Sequence, residues 1–296
     1  MLIARLIADP STLETRLDAA SGPMRAAGMA IEAADIIDHA AGILQLKLPK
    51  GDHKAVRSLL NGHFAPSALL LSDHTPKCPA VFVSDMDSTM IQQECIDELA
   101  DFAGLKDRVA AITERAMIGE LDFEDALRER VGLLAGLDQS AISTCLEERI
   151  TLTPGAKTLV ANLRAAGCKT VLVTGGFHHF ADAVADQLGF ERVVGNRLEV
   201  SDGKLTGRLV GAITDAATKA GVLEEEMASL GEGARSSVRS LATGDGANDI
   251  PMLERADYGF AYCGKEAARD AANGQIDQAD ISVILPLLGV RVANRY

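Results

Sequence analysis

The sequence predicts an α/β protein in which a mostly parallel sheet is covered by helices on both faces, preceded by a small α+β domain. Two observations carry this prediction. From Ala80 onward, short apolar runs alternate with amphipathic helical stretches, a pattern typical of a parallel sheet built from strand–helix units. Before that point the elements follow the order strand–helix–strand–strand–helix–strand, which suits a ferredoxin-like sandwich.

The small N-terminal domain is expected over residues 1–78 and the main domain over residues 79–296. The predicted elements of the small domain are strand Leu2–Ala8, helix Ser11–Ala20, strand Gly28–Ile37, strand Ile43–Leu48, helix Lys54–Leu60 and strand Ser67–Leu71. Ser11 and Glu14 match the Ser-x-x-Glu capping box at the start of the first helix. The polar, proline-bearing connector over residues 72–79 is the predicted domain boundary.

Apolar runs in the main domain are the predicted strands of its sheet. They are Ala80–Ser84, Lys169–Val173, Val238–Thr243, Tyr258–Tyr262 and Ile281–Leu285. Amphipathic stretches between them, Pro154–Ala166 and His178–Leu188, are predicted helices. The first of these has Thr153 as its expected N-cap and Gly167 as its stop.

Two insertions interrupt this alternation. Residues Gln92–Ile150 show helical patterns throughout, so we expect a cap of about residues 92–150 over the carboxyl edge of the sheet. In the second insertion, residues 193–212, the dipeptide Asp202-Gly203 separates two short apolar runs. That arrangement predicts a β-hairpin.

Composition excludes several classes of partner. The formal net charge is -13 and Trp is absent, which argues against a nucleic-acid partner, because a phosphate backbone would be repelled and few stacking platforms exist. No apolar stretch approaches the length needed to span a bilayer, and charge interrupts the N-terminus too soon for a secretory signal. Five scattered cysteines indicate reduced thiols. We therefore expect a cytoplasmic protein without a membrane partner.

Three predicted strands end in residues that carry chemistry. The first is followed by Asp85 and Asp87, the second by Thr174 and two glycines, and the third by Gly244-Asp-Gly-Ala-Asn-Asp249. Taken singly, each motif also fits an ordinary strand-to-helix turn. Ligands of α/β proteins bind beyond the carboxyl ends of the strands, where these motifs meet. Glycines let a phosphate approach the backbone, and carboxylates favour a hard cation.

Together with Lys219, these motifs resemble those of the haloacid dehalogenase superfamily in their order along the chain. The resemblance covers essentially all of Ala80–Val290. Within the superfamily, the closer match is to the phosphoserine phosphatases. It is carried by D-M-D-S-T at 85–89, the Gln-Gln-Glu ending at Glu94, F-E-D-A-L-R-E-R-V containing Arg130, T-G-G-F, D-G-K-L-T-G and G-D-G-A-N-D. Ala220 stands where the family usually has glycine, and Thr174 where it commonly has serine; both keep the groups the chemistry needs.

The resemblance implies a Rossmann-like core with the cap inserted after its first strand, and Mg²⁺-dependent hydrolysis of O-phospho-L-serine as the last step of serine biosynthesis. Asp85 would be the nucleophile that forms a phosphoaspartyl intermediate, and Asp87 the general acid and then base. Asp85, Asp245 and the backbone carbonyl of Asp87 would hold Mg²⁺. The phosphoryl group would be bound by Ser88, Thr174, Gly175 and Lys219. The metal shell would be supported by Asn248 and Asp249, and Asn248 would also bind substrate.

Substrate choice is implied to lie in the cap. Glu94 would bind the amino group of the substrate and Arg130 its carboxylate, with Met117 and Phe123 as apolar neighbours. Opposite charges at the two ends of a zwitterion exclude phosphates that lack either group. Arg128 is the rival for the arginine role, and exposed helix charges are the other reading of Glu94 and Arg130.

Other functions stay open at this point. A related phosphatase could act on another small phosphate such as phosphohomoserine, or pass the phosphoryl group to homoserine. The first 78 residues resemble small ACT-like regulatory domains of amino-acid enzymes. They would sense serine, mediate contacts of a homodimer, or play a purely structural part. An amino-acid-sensing binding protein without catalysis is the reading from a different class.

Overall fold

The computed structural model describes residues 1–49, 51–117, 120–231 and 238–290. The strands in these ranges are β1 (Leu2–Ile7), β2 (Ala33–Asp38), β3 (Ile43–Leu48), β4 (Ala68–Ser72), β5 (Val81–Ser84), β6 (Lys169–Phe177), β7 (Arg192–Ser201), β8 (Lys204–Val210), β9 (Ser240–Gly244), β10 (Tyr258–Tyr262) and β11 (Gly274–Ile276). The helices are α1 (Leu13–Ala26), α2 (His53–Phe64), α3 (Cys95–Phe102), α4 (Lys106–Met117), α5 (Phe123–Leu133), α6 (Ser140–Arg149), α7 (Ala156–Ala165), α8 (His178–Leu188), α9 (Ala216–Ser229), α10 (Ile250–Arg255), α11 (Glu266–Ala271) and α12 (Ile284–Leu287). Short 3₁₀ helices cover Pro10–Thr12, Ala247–Asp249 and Ile281–Val283.

All strands of the described ranges belong to one sheet, in the order β2-β3-β1-β4-β11-β10-β9-β5-β6-β7-β8. The strands from β11 to β7 are parallel to their neighbours, and β8 returns antiparallel along β7. The four N-terminal strands pair antiparallel. An antiparallel pairing of β4 with β11 joins this part to the parallel sheet. The predicted α/β class and the βαββαβ order are thereby confirmed.

Buried hydrophobic side chains form three clusters in the described part of the chain. One cluster of buried residues lies within residues 2–71, between the N-terminal strands and the helices α1 and α2. Two further clusters lie on the two faces of the parallel sheet, and the larger of them includes Ala68 and Leu70 of β4. Because the sheet hydrogen bonds continue from β4 to β11, the N-terminal part is fixed to the outermost strand of the parallel sheet, β11. The division at residues 78 and 79 stays a proposal.

The start of α1 differs from the predicted capping box. Asp9 accepts hydrogen bonds from the backbone N–H and the hydroxyl of Ser11, at 2.9 and 2.7 Å. The Ser11 hydroxyl therefore acts as a donor to Asp9, two residues earlier, and a short 3₁₀ turn precedes α1. Such local side-chain bonds compete with helix capping. The helix starts at Leu13 and continues to Ala26.

The predicted strand Ile281–Leu285 is wrong. These residues form a 3₁₀ turn that leads into α12, and the last strand of the described sheet is β11 instead. Asp280 starts the turn, because its side chain accepts the N–H of Ser282 at 2.9 Å. A short apolar run that is buried on all sides has the same pattern as a strand or as a helix.

The N-terminus of α7 also differs from the prediction. Gly155, rather than Thr153, stands at the N-cap, with φ +79°. A Cβ atom there would lie 1.9 Å from Asp280 Oδ1. Glycine is therefore required by close packing as well as by backbone conformation.

The cap consists of α3 to α6 and is hydrogen-bonded to the β7–β8 hairpin. Gly136 donates to the carbonyl of Leu205, and Leu205 to that of Leu137, both at 2.8 Å. The predicted hairpin turn is present, with φ +50° at Asp202 and φ +74° at Gly203, the backbone that a two-residue primed turn requires. Within the ranges the structure describes, no helix is long and apolar enough to cross a bilayer.

Candidate active site

The site lies where three neighbouring strands of the parallel sheet end. Strand β5 lies between β9 and β6, so the residues after β5, the end of β6 and the residues after β9 share one edge. These are the three segments that carry the predicted motifs. Helix α9 adds Lys219 from one side, and the cap helices α3 and α5 lie on the other.

Asp85 is the first residue beyond β5 and is 3% exposed. Its N–H donates to the carbonyl of Thr243 at 2.9 Å, and its Oδ1 lies 2.7 Å from Lys219 Nζ. Burial, and then the charge of Asp249, hold the pKa of Asp85 well above its usual range, against the opposing charge of Lys219. A further cation beside this carboxylate would favour its ionised, nucleophilic form.

Asp87 lies next to Asp85 with both carboxylate oxygens held. Oδ1 accepts the backbone N–H of Cys95 at 3.0 Å, at the first residue of α3, and Oδ2 accepts the Thr174 hydroxyl at 3.3 Å. Burial, followed by the charge of Glu94, raises the pKa of Asp87 to about 6. A carboxyl that titrates near neutral pH can both give and take a proton during a reaction.

Lys219 is a buried cation shared by two carboxylates. Its Nζ lies 2.7 Å from Asp85 Oδ1 and 2.7 Å from Asp249 Oδ1. Burial lowers the pKa of Lys219, but these two carboxylates outweigh burial and the pKa stands above its usual value. Lys219 is therefore charged, and its position beside the Asp85 carboxylate suits it to bind a phosphoryl oxygen.

The acidic residues of this edge fit a hard divalent cation. One carboxylate oxygen from each of Asp85, Asp245 and Asp249 can be chosen so that all three lie within 4.8 Å of one another. Burial, and then the charge of Asp249, raise the pKa of Asp245 to about 6. The ammonium of Lys219 cannot balance three carboxylates, so the cluster favours a cation with oxygen ligands.

The contacts of the Asp249 carboxylate favour a role in supporting the predicted metal site. Its Oδ1 contacts Lys219, and its Oδ2 accepts the backbone N–H groups of Asp245 and Gly246, each at 3.1 Å. A Cβ atom at Gly244 would lie 2.3 Å from the Asp249 carboxyl carbon, so this glycine allows the close approach. Asp249 Oδ2 thus orients the loop that presents Asp245, and Oδ1 joins that loop to Lys219.

Small residues at the end of β6 allow the close approach of Asp87. Thr174 Oγ1 accepts the N–H of Gly176 at 2.8 Å, and a Cβ atom at Gly176 would lie 2.7 Å from Asp87 Oδ2.

Ser88 has φ +53°, and its hydroxyl donates to Glu94 Oε1 at 2.8 Å. Asn248 lies in the 3₁₀ turn after β9, on the same edge.

The cap brings its predicted residues toward this edge. Glu94 is the N-cap of α3. Burial lowers the pKa of Arg130 in α5, against the charges of Asp97 and Glu94. Arg128 pairs with Glu124 on the exposed side of α5, so the geometry favours Arg130 over its rival.

Of the two apolar residues predicted for the cap, the structure describes the side chain of Phe123 but not that of Met117. The ring of Phe123 reaches within 3.3 Å of where a Cβ atom of Gly175 would stand. Phe123 therefore lies over the predicted phosphate-binding turn. Met117 is the last residue of α4, and its side chain lies outside the described part of the chain.

Two residues of the site have no distinguishing signal in the sequence. Asn196 in β7 is 2% exposed; its amide donates to the Gly175 carbonyl at 2.7 Å, and its Oδ1 accepts the N–H of Thr214 at 2.9 Å. Cys95 contributes its backbone N–H to Asp87. Both contacts form only in the assembled fold, so no local pattern of the sequence reports them.

Known proteins match this chain over the same region. Residues 82–254 match the haloacid dehalogenase-like hydrolases. The chain belongs to the haloacid dehalogenase-like hydrolase family. The matched segment contains Asp85, Thr174, Lys219 and Asp245, so the four motifs named above all lie inside it.

Curated relatives in this family include phosphoserine phosphatases. One from Archaeoglobus fulgidus is 46% identical over 201 residues, which are 68% of this chain and 57% of that protein. One from Albidiferax ferrireducens is 44% identical over 229 residues, which are 76% of this chain and 93% of that protein. The chain thus spans little more than half the length of some relatives and nearly the whole length of others.

Solved structures of the haloacid dehalogenase-like family share the fold. A hydrolase of this family from Salmonella enterica serovar Typhi superposes with a TM-score of 0.81 at 27% identity, covering 98% of this chain and 99% of that one. A phosphoserine phosphatase solved as a phospho-aspartyl intermediate analogue has a TM-score of 0.63 at 34% identity, covering 71% of this chain and 99% of that one. The predicted family, fold class and enzyme class are confirmed.

Proposed function

We propose that this chain hydrolyses O-phospho-L-serine to L-serine and phosphate with Mg²⁺ as its cofactor. The observation that carries the proposal is the arrangement around Asp85: a buried carboxylate beside Lys219, with Asp87 held next to it. Phosphatases of this family typically use a metal ion, and the acidic cluster fits one. The curated phosphoserine phosphatases at 42–46% identity bear out the predicted function.

The first step is attack of the Asp85 carboxylate on phosphorus. An acyl phosphate forms on Asp85 while the bond from phosphorus to the serine oxygen breaks, and Asp87 gives its proton to that departing oxygen. The hydrogen bonds from Cys95 and Thr174 hold the Asp87 carboxyl in place for this transfer. A pKa of about 6 lets Asp87 carry the proton without binding it too tightly.

The second step regenerates the enzyme. Asp87, now ionised, takes a proton from a water molecule, and the resulting hydroxide attacks phosphorus of the acyl phosphate. The bond to Asp85 breaks, and inorganic phosphate leaves. Lys219, at 2.7 Å from Asp85 Oδ1, and the N–H of Gly175 would bind the phosphoryl oxygens throughout. The hydroxyls of Thr174 and Ser88, also predicted to bind phosphate, donate to Asp87 and Glu94 in this structure.

The residues assigned to Mg²⁺ are the carboxylates of Asp85 and Asp245 and the backbone carbonyl of Asp87. When bound, the cation would neutralise negative charge on the phosphoryl oxygens and on the nucleophile. Asp249 and Asn248 would support this shell. The contacts of Asp249 with Lys219 and with the N–H groups of Asp245 and Gly246 support that assignment.

Recognition of serine is assigned to Glu94 and Arg130. Their opposite charges would bind the amino group and the carboxylate of the substrate, and Phe123 would contact its apolar part. The same role for Met117 stays a prediction, because its side chain lies outside the described part of the chain. Ser88 holds the Glu94 carboxylate through its hydroxyl. A substrate that lacks either charge would leave one of these groups without its partner, at a cost in binding.

Phosphate release from a set of substrates tests the proposal. The set comprises L-phosphoserine, L-phosphothreonine, homoserine phosphate and an aryl phosphate, each with Mg²⁺ and with a chelator. We expect a strong Mg²⁺-dependent preference for L-phosphoserine that is lost in Asp85→Asn. Preference for homoserine phosphate, or hydrolysis of the aryl phosphate alone, would contradict the substrate assignment. The predicted homodimer, the serine-sensing role of residues 1–78 and the cytoplasmic location stay predictions.

A further inference from the structure

Residues 1–78, the N-terminal part of the chain, contact the catalytic part, which begins at residue 79. The contact is made by α2 and α11. Arg57 in α2 is 8% exposed, and its two terminal nitrogens donate to the carbonyls of Arg269 and Ala272. These carbonyls belong to the end of α11, where backbone acceptors have no partner within the helix. One buried guanidinium of the N-terminal part therefore holds the C-terminal end of a helix in the catalytic part.

The other end of α11 touches the predicted metal loop. Lys265, its N-cap, donates its backbone N–H to the carbonyl of Asp245 at 2.9 Å. A Cβ atom at Gly264 would lie 3.3 Å from that same carbonyl oxygen. Residues 264 and 265 thus pack directly on the backbone that presents the Asp245 carboxylate.

Arg269 connects the two ends of this helix. Its Nε donates to the Gly264 carbonyl at 2.6 Å, and its guanidinium pairs with Asp277 at 2.6 Å. The backbone N–H of Arg269 also donates to the carbonyl of Lys265 at 3.0 Å. A continuous set of hydrogen bonds therefore leads from Arg57 through α11 to the backbone of Asp245.

We propose that Arg57 is a positioning residue for the metal site. By holding the end of α11, it keeps residues 264 and 265 against the Asp245 backbone, so that the N-terminal part of the chain sets the affinity of the catalytic edge for its divalent cation. The proposal rests on the proposed function in one respect only, the assignment of Asp245 to the cation. A loop that is held ready loses less conformational freedom when the cation binds.

The expected effect is separable from substrate recognition. The contacts of Arg57 lead to Asp245, whereas Glu94 and Arg130 belong to the cap helices α3 and α5. Loosening α11 should therefore weaken cation binding and leave the KM for phosphoserine at saturating Mg²⁺ unchanged. A general loss of folding would not separate these two quantities.

The chain offers a matched control on the same two helices. Lys54 in α2 pairs with Asp270 in α11 at 2.7 Å, but its side chain is 77% exposed. An exposed ion pair contributes little to the position of a helix. Lys54→Met should therefore leave cation affinity within about twofold of the parent.

Calorimetric titration of Mg²⁺ into the metal-free full chain tests the proposal without substrate. We expect Arg57→Met to raise the dissociation constant about 3- to 10-fold, with Lys54→Met close to the parent. Arg269→Met removes the bond to Gly264 from a side chain that is 37% exposed, so it is expected to fold and to weaken Mg²⁺ binding in the same direction. Because this titration needs no substrate, failure of the proposed function would leave it readable.

Each outcome of the Mg²⁺ titration either supports the proposal or overturns it. Weaker Mg²⁺ binding in Arg57→Met and Arg269→Met, with an unchanged KM at saturating Mg²⁺, supports the proposal. Parent-like Mg²⁺ affinity in both variants overturns it, as does an equal loss in Lys54→Met. If Arg57→Met does not fold, the affinity of Arg269→Met decides in the same way.

Discussion

Lys219 Nζ lies 2.7 Å from Asp85 Oδ1, and the two side chains are 1% and 5% exposed. This ion pair joins α9 to the end of β5 at the centre of the catalytic edge. The second carboxylate on Lys219, that of Asp249, extends the pair to the loop after β9. Burying any of these charges alone would be strongly unfavourable, so each of the three residues requires the others.

Lys219→Met should destabilise the fold as well as abolish activity. It leaves Asp85 and Asp249 buried without their cation, which costs about 3–5 kcal/mol when one partner of a buried pair is removed. Urea unfolding of the metal-free chain at neutral pH measures the difference. Lys265→Met is the control, because Lys265 Nζ lies 3.9 Å from Asp245 but its side chain is 77% exposed. Equal stability of the two variants would speak against a buried, charged Lys219.

Arg130→Ala should raise the KM for phosphoserine about 10- to 100-fold, the worth of hydrogen bonds to a carboxylate. Hydrolysis of an aryl phosphate should change little, because that substrate has no carboxylate for Arg130 to bind. Arg128→Ala is the matched control from the same helix, since Arg128 pairs with Glu124 on the exposed side. Steady-state kinetics on both substrates check this. A larger effect from Arg128→Ala would transfer the role to the rival arginine.

Gly176→Ala should reduce kcat about 10- to 100-fold by displacing Asp87, since small misplacements of reacting groups carry such losses. The new methyl carbon would stand 2.7 Å from Asp87 Oδ2. Gly221→Ala in α9 is the control: no heavy atom lies within 4 Å of its added Cβ, so alanine should stabilise the helix by about 0.5–1 kcal/mol and preserve kcat. Full activity in Gly176→Ala would show that Asp87 tolerates displacement.

Asp245→Asn should stabilise the metal-free chain increasingly as pH rises. The pKa of Asp245 is about 6 in the folded chain against an ordinary 3.8, so the folded chain binds this proton more tightly. That contribution to stability is fully present below pH 3.8 and is lost as pH rises through about 6. Asparagine does not titrate, so the variant should gain on the order of 3 kcal/mol over the metal-free parent by neutral pH.

Unfolding of both proteins by urea at several pH values, with and without Mg²⁺, measures this difference. Saturating Mg²⁺ should reverse the order at neutral pH, because the parent carboxylate binds the cation and the amide binds it poorly. A constant difference across pH would contradict the raised pKa. An unchanged order in Mg²⁺ would contradict the place of Asp245 in the metal site.

Local patterns predicted much of this molecule. Strands such as Ile43–Leu48 and Tyr258–Tyr262, and the helix His178–Leu188, have the predicted bounds, because apolar spacing and turn residues are local signals. The motifs after β5, β6 and β9 meet because parallel strands share a carboxyl edge. The prediction for Ile281–Leu285 failed because a short, largely buried run with four apolar residues has the same pattern in a strand as in a helix.

Other features depend on contacts between distant segments and carry no local signal. The amide of Asn196 reaches the Gly175 carbonyl across β7 and β6, and Arg57 reaches the end of α11, more than two hundred residues further along the chain. The pairing of β4 with the three-residue strand β11 is likewise too short to predict from sequence. Such contacts follow from the assembled fold rather than from propensity.

The central claim is that Asp85 carries the phosphoryl group between two steps that both use Asp87. Mass spectrometry of Asp87→Asn after brief exposure to an aryl phosphate tests it most directly, because a good leaving group needs no proton from Asp87. We predict that one phosphoryl group accumulates on the peptide that contains Asp85 and is released by hydroxylamine, with no such adduct in Asp85→Asn/Asp87→Asn. A phosphoryl group on another residue, or turnover in Asp85→Asn equal to that of the parent, would contradict the account.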